Sequence, residues 1–93
     1  MDHVLIIHEV EDYAAWKVIF DKAASIRKAA GEQSYQVLKY EQAPDKIVHF
    51  SRWASISQAK KFFESPELVK IREQAGVRTP VFSYLQELEH GVL

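Results

Sequence analysis

Two histidine side chains are the groups in this chain best suited to proton transfer. His8 and His49 each lie in a segment that the sequence predicts to be a strand. A neutral imidazole can act as a general base near neutral pH, for example toward the hydroxyl of a phenol or an enol. We therefore treat both as candidate catalytic residues, which converge in one cavity if the strand register allows it. The alternative is that each is a hydrogen-bonded residue of the core or of an interface.

Aromatic residues form the second group that could build a site. A tryptophan ends the predicted third strand, and further aromatic side chains lie on the predicted helices and the last strand. An aromatic stripe at helical spacing is usually part of a core. Tyrosine and tryptophan also carry a polar tip that needs a partner, and that partner can be a ligand. The candidate substrate-binding residues are Trp53, Tyr84, Trp16, Phe63 and Tyr13.

The composition excludes several classes of function. Because the chain has no cysteine, it can form neither disulfides nor thiolate metal sites. Its 12 basic and 13 acidic residues are interspersed, so no basic patch is available for nucleic acid. The histidines and carboxylates show no metal-ligand spacing and no nucleotide motif occurs, so we predict no metal and no cofactor. The N-terminal apolar run is too short for a signal peptide or a membrane span, and we expect a cytoplasmic protein with no membrane partner.

Hydrophobic periodicity and turn residues predict four strands. The first is continuously apolar, as in a strand covered on both faces, and the other three alternate. A turn over residues 43–46, with Pro44 at its second position, joins the second strand to the third. The predicted strands cover residues 3–10, 33–41, 47–53 and 81–89.

Capping residues delimit the helices between these strands. Asp12 is a suitable N-cap for the first helix and Gly31 a suitable end, and Arg27 falls mostly outside its apolar stripe. Ser55 opens the second helical region with a capping box. Ser65, followed by proline, then starts a separate segment. The predicted helices cover residues 13–30, 56–64 and 66–75.

The order β-α-β-β-α-β predicts an α+β, ferredoxin-like fold for residues 1–93 as a single domain. This arrangement is a four-stranded antiparallel sheet with the helices on one face and the first and third strands at its centre. If Trp53 faces the helices, strand alternation places His49 and Ser51 beside it. Phe50 and Val48 then face away from the helices. Because that face is also apolar, we predict a homodimer that forms through the two sheets.

Three segments of the chain carry a family resemblance. They are residues 8–17 with Tyr13 and Trp16, residues 31–37, and residues 53–68 with Trp53, Phe62-Phe63 and Ser65-Pro66. Together they resemble the dimeric α+β-barrel superfamily, and within it the antibiotic biosynthesis monooxygenase-like proteins. The resemblance implies a cavity between helices and sheet that Trp53 lines, and that holds a polycyclic phenol or quinol in the cofactor-independent oxygenases. Related haem-degrading members use a histidine on the second helix, but residues 56–75 contain none, which argues against haem degradation.

The sequence therefore predicts binding of a small aromatic or hydrophobic molecule in a helix–sheet cavity. In one hypothesis the chain is a cofactor-independent oxygenase in which His8 or His49 removes a proton and the substrate anion reduces O₂. In the alternative it is a non-catalytic dimeric ligand-binding or interaction module.

Overall fold

Strands and helices alternate along the chain in the predicted order. The computed structural model describes residues 2–93, apart from the side chain of Thr79. Within that range no helix is long and apolar enough to cross a membrane. The elements are β1 (Asp2–Val10), α1 (Tyr13–Lys22), α2 (Ala24–Ala30), β2 (Glu32–Tyr40), β3 (Ala43–Trp53), α3 (Ile56–Phe63), α4 (Pro66–Gln74) and β4 (Val77–Gln86).

The four strands form one antiparallel sheet in the order β2-β3-β1-β4. The predicted ferredoxin-like α+β fold is therefore confirmed, with β1 and β3 at the centre. On β1 the even-numbered side chains from Val4 to Val10 are buried, and on β3 the odd-numbered ones from Ile47 to Trp53. These two sets face the helices, because strand alternation sends every second side chain to the same side. The core thus lies between the sheet and the helices.

The capping predictions are confirmed at three helix starts. The Asp12 side chain accepts a hydrogen bond from the N–H of Ala14, and Ser55 accepts one from Gln58. Ser65 accepts one from the N–H of Leu68. Each cap satisfies a backbone donor that has no partner within its helix.

The predicted helix over residues 13–30 is interrupted at Ala23, which separates α1 from α2. Neither proline nor glycine causes this break. The carbonyl of Phe20, which a continuous helix would pair with residue 24, accepts a hydrogen bond from the Arg27 guanidinium. The break allows α2 to direct the Arg27 side chain into the core. The periodic pattern alone could not predict this break.

The hairpin between β2 and β3 is tighter than predicted. Its turn is at residues 41–42, where Tyr40 already pairs with Ala43, so β3 begins four residues earlier than expected. Pro44 is tolerated there because β1 pairs with β3 only from Lys46 onward, which leaves one side of the strand free. The predicted turn over residues 43–46 was wrong for this reason.

The edge strand β4 also begins earlier than predicted, at Val77 instead of residue 81. Its register against β1 shifts between the Ile7–Val81 and Glu9–Arg78 pairs. Two residues of β4, one of them Pro80, therefore lie opposite the single residue His8. A bulge on an edge strand accommodates a proline that cannot donate to the ladder.

The sheet face opposite the helices is apolar and uncovered in the isolated chain. Leu5, Ile7 and Phe50 are half-buried there, while Leu38 and Val81 are 49% and 52% exposed. His3 stacks on Phe50 with ring centroids 5.1 Å apart. The alternation predicted for the two faces is therefore present in the structure.

Candidate functional site

A cavity of about 60 Å³ lies between the sheet and the helices. Its wall is mostly apolar and receives side chains from β1, β3, β4 and all four helices. Four of the lining residues are histidine or arginine. Those four polar residues are His8, His49, Arg27 and Arg72.

The two candidate histidines meet in this cavity. His8 pairs with Ile47 across the β1–β3 ladder, and His49 pairs with Ile6. The histidines are therefore diagonal neighbours on the helix-facing side, where side chains of two paired strands lie within reach of each other. Both rings are buried, with 5% and 3% exposure, and both line the cavity.

His8 is a neutral imidazole with an unused polar atom. Burial, and to a smaller extent the charges of His49 and Arg72, lowers its pKa to about 3. Its Nδ1 atom is buried and has no hydrogen-bond partner. An unpartnered buried polar atom is costly, so this atom is a natural contact for a polar group that enters the cavity.

His49 belongs to a buried chain of charged groups. Arg27 Nε donates a hydrogen bond of 2.7 Å to Glu32 Oε1, and Glu32 Oε2 lies 2.8 Å from His49 Nε2. The second contact has the length of an ion pair, but the two atoms are not aligned as a hydrogen bond. Side-chain exposure in both pairs is 5% or less. The group is thus shielded from water and its charges interact strongly.

The two partners of Glu32 keep its carboxyl group ionised. Burial alone would raise the pKa of this carboxyl, but the close contact with His49 and the hydrogen bond and charge of Arg27 outweigh burial and lower it. Glu32 is therefore an ionised carboxylate at neutral pH, and it compensates the buried guanidinium of Arg27. Such a pair is tolerated in a core only when both partners are present.

Arg72 brings a second positive charge to the cavity wall. Its Nη1 donates a 3.0 Å hydrogen bond to the carbonyl of Phe63, and its guanidinium lies 5.1 Å from the centre of the Phe82 ring. Burial lowers its pKa, and Tyr84 opposes that effect. Among residues 2–93 no carboxylate is within ion-pair distance of Arg72. The cavity is therefore biased toward a ligand with negative charge.

The predicted aromatic residues divide into two groups. Trp16 and Phe63 line the cavity, whereas Trp53 does not. Trp53 is fully buried, packs on Phe63 with ring centroids 5.2 Å apart, and donates from Nε1 to Ser51 Oγ at 2.8 Å. Its polar tip is satisfied within its own strand, so it needs no ligand.

Tyr84 and Tyr13 also lie outside the cavity wall. Tyr84 packs at the border of the core near Lys60, whose ammonium is 5.3 Å from the ring centre. Tyr13 is 43% exposed and contacts Trp16 from the outside. Tyr13 is thus separated from the cavity by Trp16.

Arg27 was expected outside the apolar stripe of the first helix, yet it is 4% exposed and forms part of the site. A signal for this was present, because position 27 continues the four- and three-residue spacing of Trp16, Phe20 and Ala23. Glu32 gave no such signal, since it precedes the alternating part of β2. Nothing in the sequence pattern singles out Arg72 as a wall residue.

Within the part of the chain that the structure describes, no three histidine or acidic side chains lie close enough together to hold a metal ion. The neutral His8 offers a hydrogen bond, and His49 is linked to a carboxylate. Chemically, this arrangement can bind and deprotonate a weak acid such as a phenol.

Comparison with known proteins agrees with this geometry. The antibiotic biosynthesis monooxygenase family profile matches residues 3–74. No curated protein sequence matches the chain. Among solved structures, SnoaB, a cofactor-independent oxygenase from Streptomyces nogalater, has a TM-score of 0.77 at 11% identity, covering 96% of this chain and 94% of its own. The Rv0793 protein of Mycobacterium tuberculosis has a TM-score of 0.69 at 19% identity, covering 99% and 100%.

A third structure is provisionally assigned as an antibiotic biosynthesis monooxygenase from Caulobacter crescentus. It has a TM-score of 0.74 at 19% identity, covering 95% of this chain and 90% of its own. At such identities the structural matches establish the fold alone. The family profile covers most of the sequence, and the resemblance seen in residues 8–17, 31–37 and 53–68 is thereby confirmed. The chain belongs to the antibiotic biosynthesis monooxygenase family.

Proposed function

We propose that this chain binds a small aromatic molecule with an acidic hydroxyl in its helix–sheet cavity and oxidises it as a cofactor-independent oxygenase. The observation that carries the proposal is the unpartnered Nδ1 atom of His8 in the wall of a mostly apolar cavity. A ligand hydroxyl would satisfy that atom. The family assignment supports a monooxygenase-like role.

The size of the cavity limits the substrate. Pockets for drug-sized ligands are typically about 300–1,000 Å³, whereas this one is about 60 Å³. A cavity that binds benzene measures about 150 Å³, so entry of even a single aromatic ring requires the cavity wall to move apart. Phe62, Leu68 and Ile71 line both the cavity and a separate surface groove, so they form the wall that a larger ligand would displace.

The proposed chemistry needs a base and a dry site. Removal of the hydroxyl proton gives an electron-rich phenolate, which can pass an electron to O₂. His8 or His49 is the base, and the unpaired charge of Arg72 favours the anion. Trp16 and Phe63 orient the ring and exclude water.

The small volume favours a second candidate function, a non-catalytic binding or interaction module. In that case the cavity is largely filled by the protein's own aromatic side chains, and Phe20 packs directly on His49 with ring centroids 4.9 Å apart. Oxygen consumption separates the two functions, because only the oxygenase consumes O₂ when substrate is added.

The test is a thermal-shift screen with single-ring phenols and quinols, followed by measurement of O₂ uptake. A ligand that binds the folded state raises Tm, by an amount that grows with its concentration over Kd. We expect the shift in the wild type and in His90→Gln, whose histidine is exposed, and a smaller shift in His8→Leu. A shift of equal size in His8→Leu would contradict the site, and the absence of any shift would contradict the ligand class.

We also propose that the apolar sheet face forms a homodimer. A second copy is the simplest cover for Leu5, Ile7 and Phe50. Sedimentation should give a dimer for the wild type and for the control Lys61→Glu, and a monomer for Phe50→Glu. A monomeric wild type at micromolar concentration would refute this proposal. The cytoplasmic location, the single domain over residues 1–93 and the absence of a nucleic-acid partner stay predictions.

A further inference from the structure

We propose that Glu32 is a positioning residue that, anchored by Arg27, holds the proton of His49 on Nε2 and so makes Nδ1 the proton acceptor of the cavity. This assigns the base to His49 and leaves His8 as the group that binds the ligand hydroxyl. The role of the base rests on the proposed function. The orientation of the imidazole is a property of the free protein and can be tested without any ligand.

The Glu32 carboxylate lies directly against the imidazole of His49. Glu32 Oε1 is engaged by Arg27 Nε at 2.7 Å, which leaves Oε2 to face His49 Nε2 at 2.8 Å. An ionised carboxylate can only accept hydrogen bonds. If Nε2 also lacked a proton, two bare acceptors would repel each other at this distance in a buried site. The stable arrangement therefore has the proton on Nε2, and the lone pair is then on Nδ1.

The Glu32 carboxylate cannot move away from His49, because Arg27 anchors it. The Arg27 guanidinium lies over the Phe20 ring, 3.7 Å from its centre, and also donates to the Phe20 carbonyl. Two contacts with Phe20 thus fix Arg27, and Arg27 fixes Glu32. Since both residues are buried, water does not compete for the carboxylate oxygens.

The charged and titratable groups that face His49 are Glu32, with Arg27 behind it, His8 on the neighbouring strand, and the phenol of Tyr35. The other ring neighbours are Phe20 and Phe63. His8 is a poor base, because burial lowers its pKa to about 3. His49 is the histidine with a carboxylate to stabilise the imidazolium that would form.

The proton transfer balances in charge. The O–H bond of the bound phenol breaks and an N–H bond forms at Nδ1, which leaves a phenolate and an imidazolium. Arg27 and Glu32 already neutralise each other, and the transfer leaves the net charge of the site unchanged. The new positive charge lies next to Glu32, and the new negative charge lies in the cavity that Arg72 also lines.

The decisive measurement is the nitrogen NMR spectrum of the histidine rings at about pH 8, where an ordinary imidazole is neutral. The spectrum of His49→Gln identifies the His49 signals. We expect the wild type to show a neutral ring with its proton on Nε2. Glu32→Gln should lose this fixed preference, whereas Glu89→Gln, which changes an exposed carboxylate, should keep it. A proton on Nδ1, or an imidazolium, in the wild type would overturn the inference even if Glu32→Gln does not fold.

A second measurement uses para-nitrophenol, whose anion absorbs visible light. The wild type and Glu89→Gln should bind it largely as the anion. In Glu32→Gln we expect the ratio of bound anion to bound neutral phenol to fall about tenfold, the effect of one pKa unit. An unchanged ratio would overturn the role of Glu32. If the wild type shows the Nε2 proton but binds no para-nitrophenol, the proposed ligand class fails while the orientation of His49 stands.

Discussion

Replacing His8 by glutamine should flatten the dependence of stability on pH below neutrality. The pKa of His8 is about 3 in the folded chain, against the ordinary value of 6.5 that applies when the chain is unfolded. As pH falls below 6.5, His8 binds a proton in the unfolded chain but stays neutral in the folded chain. Its contribution to stability is therefore fully present above pH 6.5 and is lost progressively as pH falls toward 3.

The size of the effect follows from the same two values. Between the two pKa values, the free energy of unfolding falls by about 1.4 kcal/mol for each pH unit. Between about pH 7 and pH 5, His8 alone should therefore cost the wild type about 2 kcal/mol. His8 is 5% exposed, so solvent screening does not reduce this figure greatly. That loss is a large fraction of the stability of a small domain.

The assay is urea unfolding followed by tryptophan fluorescence, since Trp16 and Trp53 are both buried and report the loss of the core. Curves for the wild type and His8→Gln are compared across this pH range at one protein concentration. His90→Gln is the matched control, because its ring is exposed. We expect the wild type and the control to lose stability in parallel, and His8→Gln to lose about 2 kcal/mol less. If the free energy of unfolding fell with pH equally in all three proteins, His8 would bind its proton as readily in the folded chain as in the unfolded one. That result would refute the reasoning.

Three further changes test the packing around the site. Phe63→Ala should destabilise the chain by about 3–5 kcal/mol and widen the cavity, and the same thermal-shift screen should then accept larger rings. Ser65→Ala removes the hydroxyl that caps α4 and should cost about 1 kcal/mol in urea unfolding, whereas the exposed Ser57→Ala should cost little. Gly31→Ala should cost about 1–3 kcal/mol, because Gly31 has a φ of +124° and a Cβ there would lie 3.3 Å from the Gln58 side chain. A Gly31→Ala protein as stable as the wild type would contradict the strain argument.

The fold could be predicted from the sequence because each element carries its own local signal. The alternation of β3 placed His49 and Ser51 on one face and Phe50 on the other, and the structure agrees. Capping side chains marked the starts of α1, α3 and α4 to within one residue. These features depend on residues that are close in sequence, which is the information that periodicity contains.

The site was harder to predict, because it depends on contacts between distant elements. That His8 and His49 meet required the β1–β3 register, and the pattern alone left it open. The burial of Arg27 required its contacts with Phe20 and Glu32 across the α1–α2 break, and a charged residue is normally expected in solvent. Trp53 was expected to contact a ligand, but its indole N–H donates to Ser51, only two residues away. The sequence pattern did not reveal this local hydrogen bond.

The strict alternation of β1 and β3 has a consequence for how this protein can evolve. Every second position of the two central strands faces the core that contains the cavity, and the positions between them face the opposite surface. In the proposed dimer, a substitution at Phe50 would therefore alter self-association without touching His8 or His49, and one at Ile6 would reshape the cavity without reaching the outer face. If both proposals hold, ligand preference and assembly lie on separate sets of positions within the same strands, so selection can change one while holding the other constant.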